Sequence, residues 1–338
     1  MKILLNCHTP FQLAHGGSQV QIENTKIALE KIGVEVEFLR WWDETQTGDI
    51  LHQVGGVDAA LVSRARAKGW KVALNLLLTE TCNRTMRQLL ARKLMIRAAL
   101  AAPLPRQAKD QLPWAIFHRA DKMIVGLEAE RMILENIYGI PHAKTAVVPL
   151  GLAEPYLNAG PASRTENHLI CTGTIGPSKN SLPLARLAQE AQTPLLFVGK
   201  PFNFDSDYWR DFQKLIDGKF VKHHPHVGTQ TELIELLQRA RGFVLMSRFE
   251  NWSLATHEAA GCGLPLLLPD QRWSRERFGA EASYWPAKDH AAQVNALKKF
   301  YADCPRLAKP AVKLFSWVEA AEQLRIIYAQ MLGQTVPA

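Results

Sequence analysis

Two glutamates separated by seven residues, Glu250 and Glu258, stand in the run Ser247-Arg248-Phe249-Glu250-Asn251-Trp252-Ser253-Leu254-Ala255-Thr256-His257-Glu258. The apolar residues Gly242 to Met246 ahead of them read as a buried strand, and a helix is expected to begin near Ser253. Glu258 then lies about one and a half turns inside that helix. The first N–H groups of such a helix, those of Ser253, Leu254 and Ala255, have no acceptor within it and sit at the positive end of its dipole. They suit a diphosphate. Glu258 can accept two hydrogen bonds from ribose hydroxyls, while Glu250, on the loop with Asn251 and Trp252, reaches the hydroxyls of a sugar. On this reading the two acids grip opposite ends of one ligand.

Other residues in the chain could partner this pair. Gly173-Thr174-Ile175-Gly176-Pro177-Ser178-Lys179-Asn180 follows the strand Leu169 to Cys171 and supplies a lysine. Gly16-Gly17 follows the strand Lys2 to Cys7; taken alone it is a turn, but absent side chains also let backbone approach a ligand. Asp205-Ser206-Asp207 has the spacing of a metal motif, yet it precedes the helical run Tyr208 to Ile216, so Asp205 or Ser206 is expected to cap a helix. His223, His224 and His226 crowd one loop without a zinc spacing. His257 is expected to face away from Glu258 and serve packing, and His52 and His118 read as ordinary core or surface residues. The tryptophans read as mostly core, with Trp252 the exception. No Ser/His/Asp order, Walker loop or nucleic-acid signature emerges.

The elements that must position these residues alternate strand and helix. Strands are expected at Lys2 to Cys7, Val34 to Leu39, Ile50 to His52, Lys71 to Leu78 and Lys122 to Val125, with helices over Val20 to Ile32 and Asp58 to Ala67. A polar stretch with Pro155 and Pro161 looks like a hinge. A second series begins at His168, with strands at Leu169 to Cys171, Pro194 to Val198, Gly242 to Met246 and Pro265 to Leu268, and the chain closes with an amphipathic helix, Trp317 to Leu332. Such alternation predicts parallel sheets covered on both faces, with ligands beyond the carboxyl ends of the strands.

The 338 residues, 47% hydrophobic and 21% charged, suffice for two globular domains and exclude disorder. No stretch approaches the roughly 20 apolar residues of a membrane span, and the N-terminus runs into a strand rather than a cleavable signal, which points to the cytoplasm. The five cysteines are scattered and are expected to be reduced and mostly buried. The net charge of +8 suits an anionic partner without choosing one. From Thr81 to Lys109 there are Arg84, Arg87, Arg92, Lys93, Arg97, Arg106 and Lys109 with no acid, interleaved with apolar residues. That is a basic amphipathic helix, either packed on the sheet by its apolar stripe or also touching a charged acceptor or, through residues 84–109, anionic lipid at the inner membrane face.

The Glu-x7-Glu pair in a strand, loop and helix, followed by Ala260-Gly261-Cys262-Gly263-Leu264-Pro265, resembles the signature of retaining GT-B glycosyltransferases of the family 4 (glycosyl transferases group 1) type. Two glutamates alone would be weak evidence, but further motifs stand in the family's order. Gly173 to Asn180 resembles its phosphate loop, Asp121 to Val125 and Val147 to Gly151 resemble two of its strands, and Phe315-Ser316-Trp317 with Tyr328 resembles its C-terminal helix.

The resemblance implies an α/β fold of two Rossmann-like, doubly wound parallel-sheet domains facing across a cleft. Residues 1–155 would be the acceptor domain, 156–315 the nucleotide-sugar-binding domain, and 316–338 the helix crossing back to the first. It implies metal-independent hexosyl transfer, with retention, from a nucleotide diphosphate sugar, UDP- or GDP-linked, to a glycan or lipid-linked acceptor in polysaccharide biosynthesis, with no cofactor. Glu250 and Lys179 would be catalytic. Gly16, Gly17, Gly173, Thr174, Val227, Asn251, Trp252, Ser253, Leu254 and Glu258 would bind the donor, with Pro225 to Gly228 bordering the base.

The chain departs from the pattern at three places. Thr174 replaces the usual arginine of the phosphate loop, which removes a charge-assisted contact of about 1.5–3 kcal/mol. Asn251-Trp252-Ser253 replaces Gly-Phe-Gly, and Leu76 to Glu80 stands where the family carries a histidine. Two other readings stay open: a nucleotide-sugar epimerase or hydrolase on the same fold, and a non-catalytic nucleotide-sugar-binding protein, the latter motivated by Thr174.

Overall fold

A computed structural model describes residues 1–7, 16–103, 105, 108, 109, 112, 114–286 and 289–335. The chain forms two compact units, Met1–Gly151 with Phe315–Ala338, and Leu152–Leu314.

In the first unit β1 (Lys2–Cys7), β2 (Glu35–Phe38), β3 (Ile50–Val54), β4 (Lys71–Asn75), β5 (Lys122–Val125) and β6 (Thr145–Val147) make one sheet in the order β2-β1-β3-β4-β5-β6. Every pairing is parallel. All of β3 is buried, as its central place between helix layers requires. In the second unit β7 (Leu169–Thr172), β8 (Leu195–Val198), β9 (Val221–His224), β10 (Gly242–Val244), β11 (Leu266–Leu268) and β12 (Ser283–Tyr284) are parallel in the order β12-β11-β10-β7-β8-β9. In each sheet the chain builds outward in both directions from its first central strands, and the loops at that switch point are where an open α/β sheet takes its ligand.

Several sequence expectations are corrected. β4 ends at Asn75 and β10 at Val244, both earlier than their apolar runs. β9 and β12 were not anticipated, because each is an edge strand too short to show alternation. His223 and His224 therefore belong to a strand rather than a loop. The His223 ring packs edge-on against Trp209, and its Nε2 is 2.9 Å from the Gly199 carbonyl oxygen. Trp41 and Trp42 are not core residues but 85% and 67% exposed. The stretch after Gly151, expected to be a hinge, carries local structure. Glu154–Leu157 is a helical turn, and Arg164 donates to the carbonyls of Cys304 and Leu307 within the second unit. The five cysteines carry free thiols, all buried except Cys7.

The basic segment forms a helix over Met86–Ala101, opened by a capping box in which Thr85 and Gln88 satisfy each other's backbone N–H. It carries two apolar stripes. Leu89 and Ile96 are buried in the unit, whereas Met86, Leu90 and Leu94, spaced four residues apart, face solvent. Arg106 lies outside the described residues.

The C-terminal helix Trp317–Met331, capped by Ser316 and Glu319, docks on the first unit. Gly151 allows this, since a β-carbon there would stand 2.4 Å from Trp317 Cα. Tyr328 and His52 on β3 are both buried, and the tyrosine hydroxyl shares a 2.5 Å hydrogen bond with His52 Nδ1. Burial pushes the His52 imidazole down to about 4, so the ring is neutral at pH 7. Tyr328→Phe removes the hydrogen-bond partner of a buried ring nitrogen and is expected to lower stability by about 1–3 kcal/mol. An unchanged urea midpoint would mean that this bond does not anchor the helix.

Candidate functional site

The two loops singled out in the sequence leave neighbouring strands, since β7 and β10 pair in the second unit. After β7 the backbone turns at Gly173, at φ 131°, and Ile175 donates to the Lys200 carbonyl in a single parallel bridge to the loop after β8. Gly199 is indispensable to this crossing, because a β-carbon on it would lie 2.1 Å from the Gly173 carbonyl oxygen. The chain then forms one 3-10 turn, Pro177–Lys179, and Asn180 takes a left-handed conformation that starts the helix Ser181–Glu190.

The loop after β10 is laced to that turn. Arg248 N–H donates to the Ser178 carbonyl at 2.8 Å, and Asn180 Nδ2 donates to the Met246 carbonyl at 3.0 Å. From the other side Gln271 Nε2 donates to the carbonyls of Ser247 and Arg248, while Trp285 Nε1 donates to the carbonyl of Leu245. Within this frame the Lys179 ammonium and the Glu250 carboxylate form an ion pair, with the glutamate largely buried and the lysine partly open to solvent.

The helix that follows spans Leu254–Gly261. It begins one residue later than Ser253, which is its N-cap at φ 62°, ψ 85°. The N–H groups of Leu254 and Ala255 have no acceptor inside the helix, since its first internal bond is Thr256 N–H to the Ser253 carbonyl. Glu258 lies on this helix, half-buried, and desolvation pushes its carboxyl up to about 7. Beside it Tyr156 is buried, its phenol pushed up by desolvation and by the Glu258 charge. Gly261 lets the two segments touch, because a β-carbon there would meet the Tyr156 carbonyl at 2.7 Å.

Trp252, expected from the sequence to be the tryptophan outside the core, is instead 2% exposed, held between the His257 ring and the Arg277 guanidinium, and its Nε1 has no hydrogen-bond partner among the described residues. The same is true of Thr172 Oγ1 at the end of β7 and Ser247 Oγ after β10. Buried polar atoms are normally paired, so three orphans at one end of a sheet mark a polar site.

The structure thus brings Gly173, Thr174, Lys179, Glu250, Asn251, Trp252, Ser253, Leu254 and Glu258 to the loops and helix start at the carboxyl ends of β7 and β10. Val227 is buried in the loop after β9, on the far side of β8. Gly16 and Gly17 belong to the first unit, where Gly17 opens the helix Gly17–Lys31. The loop leading to them lies outside the described residues. Asp205 and Asp207 are exposed, Ser206 Oγ caps the helix Asp207–Gln213, and Asp207 pairs with Arg210. No group of three or more potential metal ligands occurs among the described residues.

Sequence reasoning missed Gly199, Gln271 and Arg277. Gly199 had a signal, a glycine directly after a buried strand; Gln271 and Arg277 act across distances that no local pattern reports. His257 packs as its sequence position predicts, stacking on Trp252 with ring centroids 4.6 Å apart and planes within 3°. It also donates from Nδ1 to the Ser253 carbonyl at 2.9 Å, a bond the helical spacing does not reveal.

No protein-family model matches the sequence, and no curated protein does. Solved structures match in fold. A sucrose-phosphate synthase from Thermosynechococcus elongatus superposes with a TM-score of 0.71 at 16% identity, covering 98% of this chain and 100% of that one. The Anabaena protein HepE, solved with UDP and glucose, gives a TM-score of 0.60 at 13% identity over 99% of this chain and 100% of its own. The lipopolysaccharide outer core galactosyltransferase WaaB gives 0.61 at 12% identity over 98% and 100%. The chain therefore has the α/β fold of two parallel six-stranded sheets seen in GT-B glycosyltransferases.

Proposed function

We propose that the protein is a glycosyltransferase of the retaining, family 4 type that moves a hexosyl group from a nucleotide diphosphate sugar, UDP- or GDP-linked, to a glycan or lipid-linked acceptor. The observation that carries this reading is the joint held between the two loops of the second unit. A lysine, a glutamate and the open start of a helix share one end of the sheet there, the chemistry a sugar diphosphate needs.

In this reading the diphosphate rests on the N–H groups of Leu254 and Ala255. As the glycosidic bond lengthens, charge gathers on the leaving diphosphate, and Lys179 and the helix start neutralise it without a metal ion. Gly173 and Thr174 let the backbone come close, Asn251 and Trp252 border the sugar, and Glu250 orients its hydroxyls. Val227 lies toward the base, and the acceptor is bound by the first unit, near Gly16 and Gly17. Lys179→Ala or Glu250→Ala is expected to lower turnover of the matched donor about 100- to 1000-fold, with chelator leaving the wild type unaffected. Folded variants that turn over at the wild-type rate would remove both residues from the mechanism.

Glu258 receives the ribose hydroxyls as a carboxylate, yet its carboxyl is pushed up to about 7 in the free protein. Binding must therefore draw off its proton, and affinity rises with pH through this range. Below about pH 7 it should weaken by up to about tenfold per unit. A UDP-sugar bound in calorimetry suits the test, because its phosphates do not titrate between pH 6 and 8. Glu258→Gln should flatten the profile. A flat profile in the wild type would detach Glu258 from the nucleotide.

The same enzyme is proposed to meet anionic lipid through the helix Met86–Ala101. Its outer stripe of Met86, Leu90 and Leu94 is unsatisfied by packing, and Arg87, Lys93 and Arg97 share the helix with no acid. Flotation with phosphatidylglycerol-containing vesicles should be lost in Leu90→Glu/Leu94→Glu and in pure phosphatidylcholine. Equal flotation of the variant would exclude this face.

A further inference from the structure

Ser253 holds a left-handed backbone, φ 62° and ψ 85°, at the entry to the helix Leu254–Gly261. Side chains disfavour that conformation, and a serine keeps it only where its surroundings impose it. What imposes it here is visible. The Ser253 carbonyl accepts from Thr256 N–H, from His257 N–H and from His257 Nδ1–H, and the Ser253 hydroxyl shares a 2.8 Å hydrogen bond with Thr256 Oγ1.

His257 can donate from Nδ1 only in one tautomer, and a neutral imidazole fixes its tautomer by what its other nitrogen meets. Nε2 meets Arg277, whose Nε–H approaches it at 3.3 Å. A guanidinium has donors and no lone pair to offer, so Nε2 must accept and the ring proton must sit on Nδ1, facing the Ser253 carbonyl. The opposite tautomer would set a lone pair against the Ser253 carbonyl oxygen at one end of the ring and an N–H against the Arg277 Nε–H at the other. Burial favours the neutral ring, which this arrangement needs. Arg277 is itself held, with Nη2 donating to the Lys313 carbonyl at 2.7 Å and its guanidinium lying 4.6 Å from the Trp252 ring centroid. Phe278 packs against the imidazole at 5.1 Å. One arginine thus governs Trp252 by stacking and Ser253 through the histidine, on the two residues that immediately precede the helix.

We propose that Arg277 is a positioning residue that locks the His257 tautomer, keeps Ser253 left-handed and so presets Trp252 and the first N–H groups of the helix for a diphosphate. The last clause rests on the reading of that helix start given above. The brace answers a need particular to this chain, in which a residue with a β-carbon occupies a position that glycine would take freely.

The test combines Arg277→Met, which keeps the aliphatic stem and removes the donors, with Ser253→Gly and the double variant. Nitrogen-15 NMR of labelled histidine, assigned with His257→Asn, reads the tautomer without any ligand, and calorimetry reads the affinity for UDP, GDP or ADP, whichever the wild type binds. The wild type is expected to show the Nδ1–H tautomer. Arg277→Met should shift His257 toward Nε2–H and weaken nucleotide binding about tenfold. Adding Ser253→Gly should restore the affinity while leaving the tautomer shifted, because glycine needs no brace. Persistence of the Nδ1–H form in Arg277→Met, or failure of Ser253→Gly to restore binding, overturns the proposal. Equal nucleotide binding by wild type and Arg277→Met overturns the positioning role alone, whereas a wild type that binds none of the three nucleotides overturns the diphosphate reading along with it.

Discussion

The lacing of two loops on neighbouring strands is the constraint from which the second unit's chemistry follows. Lys179 and Glu250 are 71 positions apart and attract one another, but attraction between partly solvated charges is weak and does not fix geometry. The geometry comes from neutral bonds around them. The Arg248 N–H, the Asn180 amide and the Gln271 amide tie three loops together through main-chain carbonyls. Gly199 lets a fourth loop lie across at a distance no side chain would permit. The charged pair then occupies a place already made for it, which is how preorganised charge acts on a reaction without rearranging.

The start of the helix Leu254–Gly261 shows the opposite economy. Its geometry is held against the preference of its own residue, Ser253, by a histidine and an arginine from another helix. Local chemistry at a functional element is supplied from a distance. The element carries the N–H groups, while its support lies in Arg277, within the helix Arg272–Phe278.

How far the sequence discloses this molecule follows the same division. The buried central strands declare themselves by their apolar runs, and with their spacing the two-sheet architecture is legible. So are Lys179, Glu250 and Glu258, because each sits in a loop or helix start that directly follows such a strand. The two edge strands of the second sheet are not legible. β9 contains Lys222, His223 and His224, residues whose composition reads as a loop, and it becomes a strand only because β8 supplies hydrogen bonds. Trp41 and Trp42 mislead in the other direction, since a large aromatic residue predicts burial and these face solvent. Arg277 cannot be found from sequence, as its role depends on a stack that joins residues 252, 257 and 277 only after folding.

A crystal structure grown with a saturating nucleotide sugar decides whether a sugar diphosphate rests on the helix start beside Lys179. Phosphate oxygens are expected within hydrogen-bonding distance of the Leu254 and Ala255 N–H groups and of Lys179 Nζ, with the ribose hydroxyls on Glu258. A nucleotide bound elsewhere on the chain, or a helix start left without phosphate at saturation, would contradict it.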